Sequence, residues 1–388
     1  MRSFRASGRE VRGRLGQRRR VGRLGLTVLA IFTAGCVDRS PPPPTTDASV
    51  DPGADPETEQ PAPRLATIGL DSALIAAAFD SAAELPRLRC LVIARHGDIL
   101  AERCFRGPGL DEYANVKSVS KSVVSALVGI AISEGHLAGS DQAIFPFFER
   151  YLAGDTASTK RRITIGNLLS MQSGLERTSG GNYGRWVTSP NWVRYAISRP
   201  LVAEPGSSRL YSTGNTHLLS AIVTDATGMS TWEYAREKLG EPLGIRLPRW
   251  PADPQGIYFG GNEMRLTPRD MVRFGELYRN LGEIDGRQVV PSRWVEESLV
   301  PRSRSRYTGE SYGYGWFMAE ARGYPMFYAW GYGGQYIFVI PDLELTVVTT
   351  SNPDDPRTRG HNDAIMDLVG ELIVPAAELG SPPNSFTE

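Results

Sequence analysis

The run Asn115-Val-Lys-Ser-Val-Ser-Lys-Ser-Val-Val124 contains the only Ser-x-x-Lys motif of the chain, formed by Ser118 and Lys121. Apolar residues recur at helical spacing over 119–132, so the run predicts a helix that begins near Ser118. Residues three apart share one face of a helix, which brings the serine hydroxyl within reach of the lysine amine. A buried lysine can lose its proton, unlike an arginine, and then act as a base. The pair is a candidate nucleophile and base, although a helix-capping serine followed by an exposed lysine has the same pattern.

Composition excludes several classes of function. The first 35 residues hold nine arginines and one acid, Glu10, and the remaining chain carries 34 basic and 42 acidic residues, a net charge of −8. This acidic body argues against nucleic-acid binding, which needs basic patches. The four histidines and three cysteines show no His-x-x-x-His or Cys-x-x-Cys spacing. The sequence therefore predicts neither a metal site nor a cofactor.

The N-terminus is typical of an export signal over residues 1–35. An arginine-rich stretch precedes about twelve apolar residues, too few to span a bilayer, which needs about 20. The following Thr33-Ala-Gly-Cys36 resembles a bacterial lipobox, whose cysteine is lipidated, and plain signal-peptidase cleavage is the alternative. We expect an exported bacterial protein, either periplasmic or a cell-surface lipoprotein held at the membrane through Cys36. Residues 36–65 are rich in proline and aspartate and predict a disordered tether.

The two remaining cysteines lie in a predicted β-hairpin. Strand-like residues 90–94 and 99–104 flank His96-Gly97-Asp98, which we expect to form the loop. In that register Cys90 faces Cys104 on the neighbouring strand. An oxidising compartment permits a disulfide between them, and the alternative is two half-buried thiols.

The order of predicted elements indicates an α/β fold of the α+β type. Strand patterns occur in the early hairpin and in four late segments, while residues 142–298 are mostly helical. We therefore expect one antiparallel sheet built from 66–141 and 299–380, flanked by N- and C-terminal helices. Residues 142–298 would form an inserted all-helical lobe, with a cleft between the lobes, and 381–388 a disordered tail.

Six segments resemble, in order, the serine β-lactamase-like hydrolases. This family includes class C β-lactamases, D,D-peptidases, family VIII esterases and 6-aminohexanoate-dimer hydrolases. The resemblance extends over roughly residues 66–375 and implies a β-lactamase/transpeptidase-like fold. The segments that carry it are Ser118–Ser122, Thr164–Leu175, Pro205–Ser220, Leu266–Met271, Tyr312–Trp316 and Trp330–Pro341.

The resemblance also implies roles for single residues. Ser118 corresponds to the acylated nucleophile, Lys121 to its proton-accepting partner, and Tyr211 to the tyrosine that shares the base role and protonates the leaving group. A phenol near an ammonium can have a lowered pKa, which would suit such proton exchange. The oxyanion would be held by the backbone N–H groups of Ser118 and Gly334, or of Gln335 if the register shifts.

Two departures from the family pattern bear on the substrate. Thr213 stands where an asparagine usually contacts an acyl amide, and Gly331-Tyr332-Gly333 replaces the usual Lys-Thr-Gly or His-Thr-Gly. Without that cation we expect uncharged esters or short amides to be preferred over β-lactams, whose carboxylate loses a charge-assisted hydrogen bond. The sequence also offers candidate substrate contacts, namely Thr213, Tyr332, Gln335, Trp330 and Trp186, with Tyr183 and Trp192 as further pocket walls.

The predicted function is that of a serine hydrolase that cleaves an ester or amide of a small molecule through an acyl-enzyme on Ser118. Two alternatives are a β-lactamase or D,D-peptidase, and an inactive relative that binds cell-wall peptides. Retention of Ser118, Lys121 and Tyr211 argues against the inactive relative, because binding alone needs none of them. No Gly-x-Ser-x-Gly occurs, so a nucleophile elbow has no support.

Overall fold

The computed structural model describes residues 69–152, 158–306, 308–354 and 360–380. The predicted signal peptide, Cys36, the tether over 36–65 and the tail over 381–388 lie outside the described residues. Among those described, no helix has the length and apolar character needed to cross a membrane.

The centre of the fold is an eight-stranded antiparallel sheet with the strand order β2-β1-β12-β11-β10-β9-β8-β7. Two early strands therefore join the late strands through the pairing of β1 with β12, as expected. Two further small sheets pair β3 with β4 and β5 with β6. The strands are β1 Leu88–Arg95, β2 Asp98–Cys104, β3 Ala114–Asn115, β4 Arg265–Leu266, β5 Glu283–Ile284, β6 Arg287–Gln288, β7 Ser303–Arg304, β8 Ser311–Tyr312, β9 Phe317–Ala321, β10 Tyr324–Gly331, β11 Gln335–Ile340 and β12 Leu345–Ser351.

Helices cover both faces of the sheet and fill the segment between the early and late strands. The helices are α1 Ser72–Ala83, α2 Ser120–Ser133, α3 Phe145–Leu152, α4 Ile165–Leu169, α5 Tyr183–Val187, α6 Trp192–Ile197, α7 Thr213–Thr227, α8 Thr231–Ala235, α9 Glu241–Leu243, α10 Pro268–Arg279, α11 Ser292–Ser298, α12 His361–Leu368 and α13 Val374–Leu379. A π-helical turn joins α8 to α9, and another joins α12 to α13.

Alternating strand residues place two hydrophobic cores on opposite faces of the sheet. On one face, Leu91 and Phe338 pack with side chains of α1, α12 and α13. On the other face, Val92 and Ile337 belong to the larger core, which includes α2, α7 and α10. The sheet is thus flanked by the N- and C-terminal helices, and the predicted fold class is confirmed.

One helix differs from the predicted division into lobes. α10 falls within residues 142–298, for which the sequence predicts a helical lobe. In the structure this helix packs on β1, β11 and β12 of the sheet. Gly275 of α10 makes this close approach possible, because a Cβ atom there would lie 2.7 Å from Thr346 and 2.8 Å from Ile337. The amphipathic pattern of α10 shows that one face is buried, but it cannot show whether helices or a sheet bury it.

The early hairpin has a shorter loop than expected. Arg95 pairs with Asp98, so the loop is His96-Gly97, and both residues have positive φ angles of 54° and 92°. A bulge at Leu100 restores the register, so that Cys90 still faces Cys104. The two cysteines are joined by a disulfide.

Candidate active site

Ser118 lies in a single 3₁₀ turn, Lys117–Val119, immediately before α2. Lys117 has a φ angle of 50°, in the left-handed region that non-glycine residues seldom adopt. Its N–H donates to Asn115 Oδ1 at 3.0 Å, and its Nζ contacts Glu263 Oε1 at 3.1 Å. These contacts hold the strained residue that sets the position of the serine.

The Lys121 amine is buried and faces neutral oxygen atoms. The residue is 2% exposed, and its Nζ donates to Ser118 Oγ at 2.9 Å and to the Gly261 carbonyl at 2.6 Å. Thr213 Oγ1 lies 3.4 Å away. No ion pair joins this amine to any carboxylate of the described residues. This burial excludes the alternative interpretation, in which a capping serine is followed by an exposed lysine. Burial also lowers the pKa of Lys121 to about 7.

Gly261 is a member of the site that the sequence did not reveal. A Cβ atom at this position would lie 3.2 Å from Lys121 Nζ and 3.0 Å from Thr213 Cγ2. The absence of a side chain therefore allows the carbonyl to reach the amine. The only signal in the sequence is the pair Gly260-Gly261, which has no motif of its own.

Tyr211 lies next to the pair. Lys121 Nζ lies 5.0 Å from the centre of its ring, and its phenol interacts with the Ser118 side chain. Burial raises the pKa of Tyr211 to about 12, although the interaction with Ser118 and the charge of Arg209 act in the opposite direction. The expectation that a neighbouring ammonium lowers this pKa is wrong, because burial of the phenol is the larger effect. At neutral pH the phenol can donate a proton but cannot readily accept one.

Gly331-Tyr332-Gly333 begins at the end of β10, where the strand packs on the Lys117–Val119 turn. A Cβ atom on Gly331 would lie 2.2 Å from the Val116 carbonyl, so the lysine or histidine of the family pattern cannot occupy this position without a backbone shift. The predicted oxyanion donor, the Gly334 N–H, donates to the Gly331 carbonyl at 3.3 Å within the hairpin turn. This amide therefore already has an acceptor in the structure.

Two of the predicted substrate contacts are internal residues. Gln335 is fully buried, and its amide side chain donates to the Ser351 carbonyl at 2.8 Å and accepts from the Ser351 N–H at 3.1 Å. Trp186 is 0% exposed and donates to the Trp192 carbonyl at 3.0 Å within an aromatic cluster. Both side chains stabilise the fold, and neither lines the cavity that opens beside Tyr211. Their residue types alone do not distinguish a core position from a pocket wall.

The other predicted contacts lie nearer to the site. Thr213 is at the start of α7, where its Oγ1 lies 3.0 Å from Ser179 Oγ, and its N–H donates to the same oxygen at 2.9 Å. Trp330 lines a cavity, whereas Tyr332 is 40% exposed in the β10–β11 turn. Ser179 was not identified from the sequence because it belongs to no motif.

A cavity of about 870 Å³ opens beside Tyr211. Two of its wall residues lie next to the site: the Tyr211 ring centre is 5.0 Å from Lys121 Nζ, and Ser179 Oγ is 3.0 Å from Thr213 Oγ1. Its other walls come from β9, β10, β11 and α12 and from the loops before α7 and β8. Charged residues of the wall are Arg177, Arg209, Arg306, Glu310 and Asp363. Within the part of the chain that the structure describes, no group of His, Cys, Asp and Glu side chains has the arrangement of a metal site.

Comparison with known proteins identifies the family. A family model described as Beta-lactamase matches residues 90–371. A 6-aminohexanoate-dimer hydrolase of Paenarthrobacter ureafaciens is 25% identical over 300 residues, which cover 69% of this chain and 73% of that protein.

Solved structures share the fold at low sequence identity. A class C β-lactamase from Rhodobacter sphaeroides has a TM-score of 0.62 and 17% identity, covering 78% of this chain and 99% of that chain. A D-stereospecific amidohydrolase from a Streptomyces species has a TM-score of 0.57 and 19% identity, covering 73% and 94%. The family expected from the six sequence segments is confirmed. The chain therefore belongs to the beta-lactamase family of hydrolases.

Proposed function

We propose that the protein hydrolyses an ester or amide bond through an acyl-enzyme on Ser118, with Lys121 as the base. The observation that carries this proposal is the buried amine, whose Nζ lies 2.9 Å from Ser118 Oγ and whose pKa is lowered to about 7. Near neutral pH a large fraction of such an amine is unprotonated. It can therefore take the serine proton as Oγ attacks the carbonyl carbon.

Tyr211 would act as the acid of the same step. Its raised pKa keeps the phenol protonated, and its side chain interacts with that of Ser118, the proposed nucleophile. As the bond to the leaving group breaks, the phenol gives that group a proton and is reprotonated from Lys121. Water then attacks the acyl carbon and gives a proton to Lys121, and this proton passes to Ser118 Oγ as the acyl–oxygen bond breaks and the acid leaves.

The developing oxyanion needs backbone donors close to Ser118. The Ser118 N–H is one candidate, because it lies in the turn before α2. The second would come from the β10–β11 hairpin, whose Gly331 packs on the Val116 carbonyl next to the same turn. Gly334 remains a candidate there, because 3.3 Å is long for an N–H···O hydrogen bond and an oxyanion is a stronger acceptor than a carbonyl.

Covalent labelling tests this proposal directly. We expect a fluorophosphonate probe to modify the wild-type protein on Ser118 and to leave Ser118→Ala unmodified. A panel of nitrophenyl esters, short amides and a chromogenic cephalosporin then gives the preferred bond. An unlabelled wild-type protein with no turnover would overturn the proposal in favour of an inactive binding relative.

We also propose that the protein is exported, as the N-terminal residues predict. The Cys90–Cys104 disulfide supports this location, because disulfides persist in oxidising compartments. Mass spectrometry of the mature protein from bacterial membranes and periplasm would distinguish a lipidated Cys36 from plain signal-peptide cleavage. A full-length cytoplasmic protein with intact residues 1–35 would contradict the proposal.

A further inference from the structure

Arg209 lies beside the proposed acid and is held on aromatic rings. Its guanidinium carbon is 4.8 Å from the ring centre of Tyr312, 5.3 Å from that of Phe317 and 5.4 Å from that of Tyr211. Contacts with three rings fix the position of a long side chain that would otherwise move freely. The guanidinium therefore has a defined place in the cavity wall.

This cation has no anionic partner among the described residues. The ion pairs of the other arginines do not include it. A guanidinium that lines a cavity without a counter-charge can pair with an anion that enters the cavity.

The other charges of the cavity favour an anionic occupant. Arg177 and Arg306 line the same space and are exposed. The wall also holds two acids, Glu310 and Asp363. The cavity thus has three cations against two carboxylates.

We propose that Arg209 binds a carboxylate on the leaving-group side of the substrate. This inference rests on the proposed function, because the position relative to the scissile bond follows from Tyr211, the proposed acid on whose ring Arg209 stacks. The planar guanidinium offers a paired set of donors that matches a carboxylate. It replaces the cation missing at Gly331. The competing prediction is the preference for uncharged substrates that the sequence favours.

Two chromogenic esters test the proposal. They are 4-nitrophenyl butyrate, which is neutral, and 5-butyryloxy-2-nitrobenzoate, which carries a carboxylate on the same type of leaving group. Each kcat/KM is divided by the rate constant for hydroxide-catalysed hydrolysis, which removes the difference in intrinsic reactivity. We expect the wild-type protein to prefer the anionic ester. Arg209→Gln should lower the anionic-to-neutral ratio by about ten- to a hundredfold, while Arg209→Lys keeps part of it.

Control variants separate this role from others. Arg322→Gln removes an exposed arginine paired with Glu378 in the structure, and it should leave the ratio unchanged. Labelling of Ser118 in Arg209→Gln shows that the site is intact. An equal loss of kcat/KM for both esters in Arg209→Gln would overturn the carboxylate site but not the proposed function. The same conclusion would follow if the wild-type protein were labelled on Ser118 but showed no preference for the anionic ester. Absence of both labelling and turnover in the wild-type protein would overturn the proposed function and this inference with it.

Discussion

Two lysines four residues apart, on either side of the proposed nucleophile Ser118, have contrasting surroundings. The Lys117 side chain is 17% exposed and forms an ion pair with Glu263 at 3.1 Å. Lys121 is 2% exposed, and its amine lies near the neutral oxygens of Ser118, Gly261 and Thr213 and the ring of Tyr211. Burial without an opposite charge disfavours the ammonium form of Lys121. The ion pair thus suits Lys117 to hold the turn, whereas Lys121 is suited to accept a proton.

The largest difference in kcat/KM is expected when the same substitution, lysine to arginine, is made at each of these two lysines. Lys121→Arg should lower kcat/KM by about 10²–10⁴-fold, nearly as much as Lys121→Ala, because arginine keeps the charge but cannot accept the proton. Lys117→Arg, the matched control, should keep most of the activity because its partner needs only a cation. Esterase kinetics of the three variants measure this, and high activity in Lys121→Arg would indicate a purely electrostatic role.

The next effect concerns the proton donor. Tyr211→Phe should lower kcat for amides by about 10²-fold or more, because an amine leaving group needs a proton. The loss should be smaller for 4-nitrophenyl esters, since nitrophenolate leaves without one. The comparison is the ratio of variant to wild-type kcat for one amide and one activated ester. An equal loss for both would indicate that Tyr211 only positions Ser118.

A small effect on kcat/KM is expected from weakening the ion pair between Lys117 and Glu263. Glu263→Gln keeps the shape of the residue but removes its charge from the partly exposed pair with Lys117. Such pairs contribute about 0.2–1 kcal/mol, so kcat/KM should fall by no more than about fivefold. A loss as large as that of Lys121→Arg would show that the two lysines are not functionally distinct.

No effect on the reaction is expected from removing the disulfide at the β2 edge of the sheet. The double variant Cys90→Ala/Cys104→Ala opens a disulfide across β1 and β2, whose cysteines are 14 residues apart. We expect the free energy of unfolding to fall by about 2–4 kcal/mol, because the unfolded chain is no longer constrained. Denaturant titration measures the loss, and the rate of Ser118 labelling under native conditions should stay unchanged. A slower labelling rate would tie this edge to the site.

The sequence was sufficient for features that depend on local spacing. Ser118 and Lys121 are three residues apart, so a helix alone brings them together. The periodicity of the strands likewise predicted the main sheet and its two covered faces. The loop of the early hairpin differed because one bulged residue, Leu100, changes the local register without changing the alternation further along.

The environment of the site depends on distant residues and could not be predicted in the same way. The carbonyl that binds Lys121 comes from Gly261, 140 residues away, and belongs to no recognisable motif. Trp186 and Trp330 have the same side chain, yet one is in the core and the other lines the cavity. The predicted lowering of the Tyr211 pKa is wrong for the same reason, since burial depends on tertiary packing.

The most direct test of the central claim is the pH dependence of Ser118 acylation by a fluorophosphonate probe. Lys121 must be unprotonated to act as the base, and its pKa is lowered from 10.5 to about 7. We expect the rate to fall by about tenfold per pH unit below this value and to be constant above it, until the phenol ionises. This pH dependence should disappear in Lys121→Arg. A flat profile between about pH 5 and pH 9, or a rise that continues towards the ordinary pKa of lysine, would show that Lys121 is not the base.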